Sequence, residues 1–384
     1  MEPHRAHVVI AGGGVAALEA LIALAELAPR HVRVTLVTPR ADFVSRPQVI
    51  GESFARGRRS HVALARVARD FGATHLAGSV VAVDPARRTV RCASGEELAY
   101  DSLLVATGGR RMPAYEHAET IGDDTAAEAL HGILADLEEG YLKRLAFVVP
   151  PRVAWTLPAY ELALLVAHDA WSMCIDDAQL SLVTPEDRPL ALFGPRAGAA
   201  VGELLAERGI AFVGGVCAEV GRGTLDLHPG GRTMTAERVF ALPVVHGDAP
   251  AGLPSDEAGF LGTDVHGRVM GVADVFAAGD ITSFPAKHGG IAAQQAEAAA
   301  QAIAAGHGCA IEPEPFRPLL RGRLLTGGED LFLERDIAGG SGDADRPTRQ
   351  AWWPADKVSA PRLAPYLYAL EQSGAQQLSH LASS

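Results

Sequence analysis

A chain of 384 residues with 48% hydrophobic and 21% charged side chains is long enough for two or three domains, each with its own core, and is neither disordered nor fibrous. Its formal net charge of −12 argues against a nucleic-acid binder, because phosphate recognition needs a concentrated basic surface. Four cysteines, Cys92, Cys174, Cys217 and Cys309, stand far apart with no CxxC pair, which fits neither a disulfide framework nor a zinc site and suits a reducing cytoplasm.

In chain order, "HVVIAGGGVAALEALIALAEL" reads as a buried strand (Val8 to Ala11), a tight glycine turn and a helix beginning near Val15. The β-branched run "VRVTLVTPR" completes a βαβ unit. The apolar stretch from Val8 to Leu27 imitates a signal or membrane segment, but Gly12, Gly13, Gly14, Glu19 and Glu26 interrupt it. Arg56, Arg58, Arg59 and His61 form a basic cluster that reads as a solvated loop. Alternating strands with turns at Asp84-Pro85 and Ser94-Gly95 make a meander that ends in "LLVATGG".

From about Leu145 the order repeats: a strand, a helix (Ala159 to Ala170), then "LSLVTPE", a weak echo of "VTLVTPR". Beyond "VFALPVVHG" comes another strand, loop and alanine-rich helix, "DVFAAGDITSFPAKHGGIAAQQAEAAAQAIAAG". The expected fold is α/β: two Rossmann-like, three-layer ββα dinucleotide-binding domains plus a small C-terminal module. Expected boundaries are 1–112 with 244–311 for the first domain, 113–243 for the second and 312–384 for the module. Within the module "AGGSGDADRP" (Ala338 to Pro347) reads as a mobile loop. "PYLYALEQSGAQQLSHL" reads as a weakly amphipathic helix without a basic face, so membrane-surface attachment is not favoured.

Gly12-x-Gly14-x-x-Ala17 lies between a strand and a helix, where the first glycine permits the turn, the second lets a pyrophosphate approach and Ala17 allows close packing. Free N–H groups at the helix start then face phosphate charge. Taken alone, the motif holds NAD or FAD. The second strand ends in Thr38-Pro39-Arg40, without the usual ribose-binding acid. Ribose contacts then fall to Thr38 or the backbone, and Arg40 approaches the adenosine and its phosphates or serves a plain surface role.

The Gly279-Asp280 pair in "VFAAGDI" would by itself be an Asp capping a turn. With "GGG" and "VATGG" before it in this order, the chain resembles the two-dinucleotide-binding-domain flavoproteins of the pyridine nucleotide-disulfide oxidoreductase type. The resemblance implies that Asp280 hydrogen-bonds the ribityl chain of FAD, with Gly279 giving it room. It also implies that Ala106, Thr107 and Gly108 line the cofactor and that the backbone of Val80 lies near the adenine. The helix after Gly289-Gly290 would meet the pyrimidine end of the flavin, with N–H groups near Gly290, Ile291 and Ala292 and the helix dipole stabilising negative charge there.

Residues 1 to about 311 resemble the branch that holds sulfide:quinone oxidoreductases, flavocytochrome c sulfide dehydrogenase flavoproteins and type II NADH dehydrogenases. "SRPQVIGES" resembles a loop folded beside the isoalloxazine, which implies Pro47 as its neighbour, and "LPAYELAL" resembles the helix start of the second domain. NADH-using relatives carry a second GxGxxG and an acid in the helix it opens. This chain keeps a candidate acid, Glu161, but has "PPRVAW" (Pro150 to Trp155) in place of the glycines. Proline removes N–H donors and side chains obstruct the backbone, so an ordinary NADH site is disfavoured. NAD(P)H use stays open, since Arg152 could attract a phosphate. The sulfide enzymes use cysteines at positions that fall near Asp124 and Trp155, and no cysteine follows Cys309, so sulfide oxidation through a disulfide or persulfide lacks its thiols.

Glu161 and Lys287 are the catalytic candidates. Glu161 would position a donor or relay a proton, against the plainer reading of an acid favourably placed at a helix N-terminus. Lys287 would stabilise reduced flavin or protonate an acceptor, and His288 reads as the partner of a loop hydrogen bond. Trp352-Trp353-Pro354 would wall a quinone pocket or the flavin edge, against plainer core packing or dimer burial. The expectation is a cytoplasmic FAD-dependent oxidoreductase, with no metal, that passes electrons through noncovalent FAD to a small acceptor such as a quinone. Its donor is a small molecule, with NAD(P)H one candidate, and a homodimer is one candidate assembly. The alternative is a non-catalytic FAD-binding partner or redox-sensing subunit.

Overall fold

The computed structural model describes residues 5–45, 48–56, 61–122, 132–337, 352–354 and 356–382. Pro47, Arg58, Arg59, Asp124 and the 338–347 loop therefore lie outside the described residues.

Five parallel strands form the first sheet, in the order Val275–Ala277, Ser102–Val105, Ala6–Ala11, Val32–Thr38, Thr74–Ala77. The run Val8, Val9, Ile10 is fully buried because successive strand side chains point to opposite faces and both faces are covered. Val8 and Ile10 join a core with the helices Val15–Leu27 and Gly289–Gly306. Val9 and Ala11 join another with the antiparallel meander Val80–Asp84, Thr89–Cys92, Glu97–Ala99. The three layers are helices, parallel sheet and meander.

A second parallel sheet repeats the plan, in the order Glu119–Thr120, Arg238–Ala241, Arg144–Val148, Gln179–Val183, Ile210–Val213. Leu145 and Phe147 face the helix Leu157–Ser172, while Ala146 and Val148 face a meander containing Leu225 and Leu227. The echoing segments "VTLVTPR" and "LSLVTPE" carry the strand beside Ala6–Ala11 in the first sheet and beside Arg144–Val148 in the second. An antiparallel pair, Gly109–Met112 with Val244–Gly247, carries the chain out of the first sheet and back.

After the hairpin Leu319–Leu324 with Leu331–Asp336, residues 356–363 form a strap into the C-terminal helix Leu363–Ala382. Asp356 accepts from Gln48 Nε2 at 3.0 Å, Lys357 pairs with Glu161, and the Arg362 fork holds Glu297 at 2.8 and 3.0 Å while its other arm reaches Glu26. Buried Glu19, on the first helix, accepts the N–H groups of Arg362 and Leu363 at 2.9 and 2.8 Å. Its carboxylate thus acts as a remote cap for the start of the last helix.

Trp352 and Trp353 do not line the cavity described below. Trp352 packs edge-on to Phe332 at 5.2 Å and donates Nε1–H to the Asp356 carbonyl, so its role is core packing. Exposed Trp353 lies against Tyr368. Among the described residues, no helix is long and apolar enough to cross a membrane.

Candidate functional site

A cavity of about 870 Å³ opens at the carboxyl ends of the first sheet's strands and continues to the start of the helix Leu157–Ser172. Its volume lies toward the upper end of small-molecule sites, roughly 300–1,000 Å³. The glycine turn after Ala6–Ala11 forms one end. Gly12 sits at φ +135°, and a Cβ there would lie 2.0 Å from the Ala106 carbonyl oxygen, so the two crossing loops approach as only glycine permits. A Cβ on Gly14 would meet nothing within 4 Å. The space beside Gly14 belongs to the cavity, directly before the N–H groups of the helix Val15–Leu27, which carry no side-chain cap. Such an open helix start is an anion seat when a built cradle surrounds it.

Most sequence-derived positions meet in this one space. Gly12, Gly14, Thr38, Arg40, Val80, Ala106, Thr107, Gly108, Gly279, Asp280 and Ala292 line it, as do Glu161 and Lys287. Arg40 is exposed at the rim, and its N–H donates to Thr38 Oγ1 at 3.3 Å. Three positions differ. Ala17 is fully buried in the helix-side core, so it acts through packing alone. Ile291 points into the second sheet's core, and Gly290 is buried, with the His288 ring and the Ser359 carbonyl where its side chain would be. Gly289 and Ala292, one helical turn apart, are the residues of that turn which face the cavity.

The Gly279-Asp280 turn is braced by a residue the sequence reading did not single out. Gln295, buried in the alanine-rich helix, accepts the Gly279 N–H at 2.8 Å and donates to Thr282 Oγ1 at 3.2 Å. Thr282 in turn donates to the Gly279 carbonyl at 2.9 Å. A polar residue on the buried face of an alanine helix was the available signal.

Charge gathers at the other end. Lys287 donates to the Thr282 carbonyl and lies 3.8 Å over the Phe260 ring. Burial pushes its ammonium down to about 8, against the pull of Asp280 and Asp256. His288 does not satisfy a loop hydrogen bond. Its buried Nδ1 has no partner among the described residues, its ring lies 4.1 Å from that of Trp155, and burial pushes it down to about 4, so it is neutral at pH 7. His288 precedes the helix Gly289–Gly306 without capping it, which leaves that helix start open toward the cavity.

Glu161 is not an acid at a helix N-terminus, because the first turn of Leu157–Ser172 holds no acid. It is 1% exposed, paired with Lys357, and accepts the Leu325 N–H at 3.2 Å. Burial pushes its carboxyl up while Lys357 draws it back down. Lys357 follows Glu161 by 196 residues, and nothing local in the sequence marks it. None of the four cysteines lines the cavity, and all four are free. Trp155 stands in the wall where the sulfide enzymes' pattern implied a cysteine.

These features fit a flavin dinucleotide: a cavity of about 870 Å³, a glycine cradle that a Cβ at Gly12 would close, a second close approach at Gly279, and two uncapped helix starts for negative charge. The family described as pyridine nucleotide-disulphide oxidoreductase matches residues 6–148. A sulfide-quinone reductase of Aquifex aeolicus is 29% identical over 169 residues, 42% of this chain and 39% of that protein's length. Among solved structures, the sulfide:quinone oxidoreductase of Aquifex aeolicus superposes with a TM-score of 0.79 at 20% identity, covering 89% of this chain and 86% of its own. A ferredoxin reductase of Rhodopseudomonas palustris gives 0.64 at 19% identity, covering 85% and 82%. NDH2 from Plasmodium falciparum in complex with NADH gives 0.59 at 14% identity, covering 73% and 65%. At these identities the superpositions show the fold alone.

Proposed function

We propose that this chain, whose residues 6–148 match the pyridine nucleotide-disulphide oxidoreductase family, is an FAD-dependent oxidoreductase passing electrons through noncovalent FAD to a small acceptor such as a quinone. The observation that carries the reading is the continuity of one cavity from the Gly12–Gly14 cradle past Asp280 to Lys287, Gly289 and the Glu161–Lys357 pair. A continuous space with phosphate-binding features at one end and titratable groups at the other suits cofactor redox chemistry better than simple ligand storage.

When bound, FAD supplies the two-electron redox chemistry. The turn from Gly13 to Val15 would hold its phosphates by backbone N–H groups, Thr38 and Val80 would border the adenosine end, and Asp280 would hold the ribityl chain. Lys287 and the open helix start at Gly289 bring positive potential to the far end, where negative charge develops on reduction. Glu161, paired with Lys357 at the cavity wall, has its carboxyl pushed up by burial against the pull of Lys357, and is the group to exchange a proton with an acceptor. With no cysteine in the lining, sulfide oxidation through a persulfide has no nucleophile here.

The test is the visible spectrum of purified protein. It should show bound flavin that survives gel filtration, and Asp280→Ala should lose it at cofactor concentrations that saturate the parent. A folded, colourless protein that takes up no added FAD would refute the reading.

A further inference from the structure

Glu186 follows the strand Gln179–Val183 in the second parallel sheet. That is the place where a dinucleotide-binding fold carries the acid that hydrogen-bonds a ribose. Here the carboxylate is turned onto the protein itself. It accepts from Tyr160 OH at 2.7 Å, the Ala191 N–H at 3.0 Å, and the hydroxyls of Thr156 and Thr184 at 3.2 Å each. A carboxylate offers about four acceptor sites, and these four donors fill them.

The surrounding loop is closed in the same way. Pro150 and Pro151 have no N–H to offer a pyrophosphate, and Arg152 holds the chain at φ +67°, where a glycine would sit most easily. Pro158, in the first turn of the helix Leu157–Ser172, removes a further donor. Trp155 packs its ring between His288 at 4.1 Å and Phe193 at 5.7 Å.

Thr156 and Tyr160 also sit beside two residues of the cavity wall. Trp155 immediately precedes Thr156, and Glu161 immediately follows Tyr160. We infer that Glu186 is a positioning residue that closes the second dinucleotide seat with the protein's own side chains and holds Trp155 and Glu161 at the shared cavity. The electron donor is then a small molecule without a dinucleotide handle, entering the cavity itself rather than docking on the second sheet. This inference rests on the flavoprotein reading above.

The experiment uses the full-length, FAD-loaded protein under anaerobic conditions, with its flavin content read before any donor is added. NADH and NADPH should leave the flavin absorbance unbleached while dithionite bleaches it. Saturable bleaching by either nucleotide would overturn the closure, whereas absence of flavin at the outset would overturn the earlier reading instead. Positioning is read from the emission of Trp155, taken as the difference between each protein and its Trp155→Phe counterpart. Glu186→Ala should shift that emission to the red as the ring leaves its buried stack. Glu186→Gln, whose amide can still serve all four partners once the hydroxyls turn, should keep the parent spectrum. Thr156→Val, a milder break in the same network, should shift it in the same direction as Glu186→Ala. An unchanged Trp155 emission in Glu186→Ala, or in Thr156→Val if the former fails to fold, would overturn the positioning role.

Discussion

Replacing Glu19 by Gln should flatten the dependence of stability on pH. Glu19 is fully buried on the first helix, and burial pushes its carboxyl from 4.5 up to about 7, against the lowering effect of the N–H groups of Leu363 and Arg362. A carboxyl with a raised folded-state value contributes stability that is fully present below its unfolded value and is lost as pH rises through the folded one. The window therefore runs from about pH 4.5 to about pH 7. At 1.36 kcal/mol per pKa unit, the loss across it is roughly 3 kcal/mol. Gln titrates nowhere in this window, although its amide caps the last helix less well than a carboxylate. The assay is urea unfolding of both proteins at pH 5, 6, 7 and 8, comparing midpoints. His288, pushed down to about 4, acts in the opposite sense, with stability lost as pH falls from about 6.5, but it is common to both proteins and cancels in their difference. Parallel midpoint profiles for parent and Glu19→Gln would show that the buried carboxyl is not the titrating group.

The two glycines of the first turn should separate fold from binding. Gly12→Ala meets the Ala106 backbone and should destabilise by about 3 kcal/mol or more, while Gly14→Ala, with open space around it, should melt within about 0.5 kcal/mol of the parent yet bind FAD more weakly by fluorescence titration. Lys357→Met strips buried Glu161 of its counter-charge and should cost about 3–5 kcal/mol by denaturant unfolding. Adding Glu161→Gln to it should recover much of that loss, and equal stability of the single and double variants would refute the pairing argument. Asp280→Ala should lower FAD occupancy in purified protein, whereas full occupancy would exclude its ribityl role.

Much of the fold was legible because its parallel strands are buried on both faces, so runs such as Val8 to Ala11 and Leu145 to Val148 stand out without any help from distant residues. The glycine turn and Gly279-Asp280 were legible for a related reason: each chemistry is contained within a few consecutive residues. Lys357, Gln295 and the Trp155–His288 stack were not, because they depend on which segments the fold brings together. Which side chains of the alanine-rich helix start face the cavity is set at a finer level. A helix turns about 100° per residue, so Gly289 and Ala292 share the cavity face while Ile291 is rotated into the neighbouring core. The role expected of His288 failed because no local rule says that an uncapped helix start will leave its histidine buried without a partner.

The strap of residues 356–363 joins groups that synthesis makes far apart in time. Glu19 and Gln48 leave the ribosome long before this segment, Glu161 emerges between them and it, and all three wait for partners within it. Until Lys357 arrives, a buried carboxylate in the cavity wall has no counter-ion and the first helix holds an acid with nothing to cap. The wall is therefore completed after translation has passed residue 363, and a nascent chain stalled before that point would present both sheets but an unfinished receptacle for its cofactor.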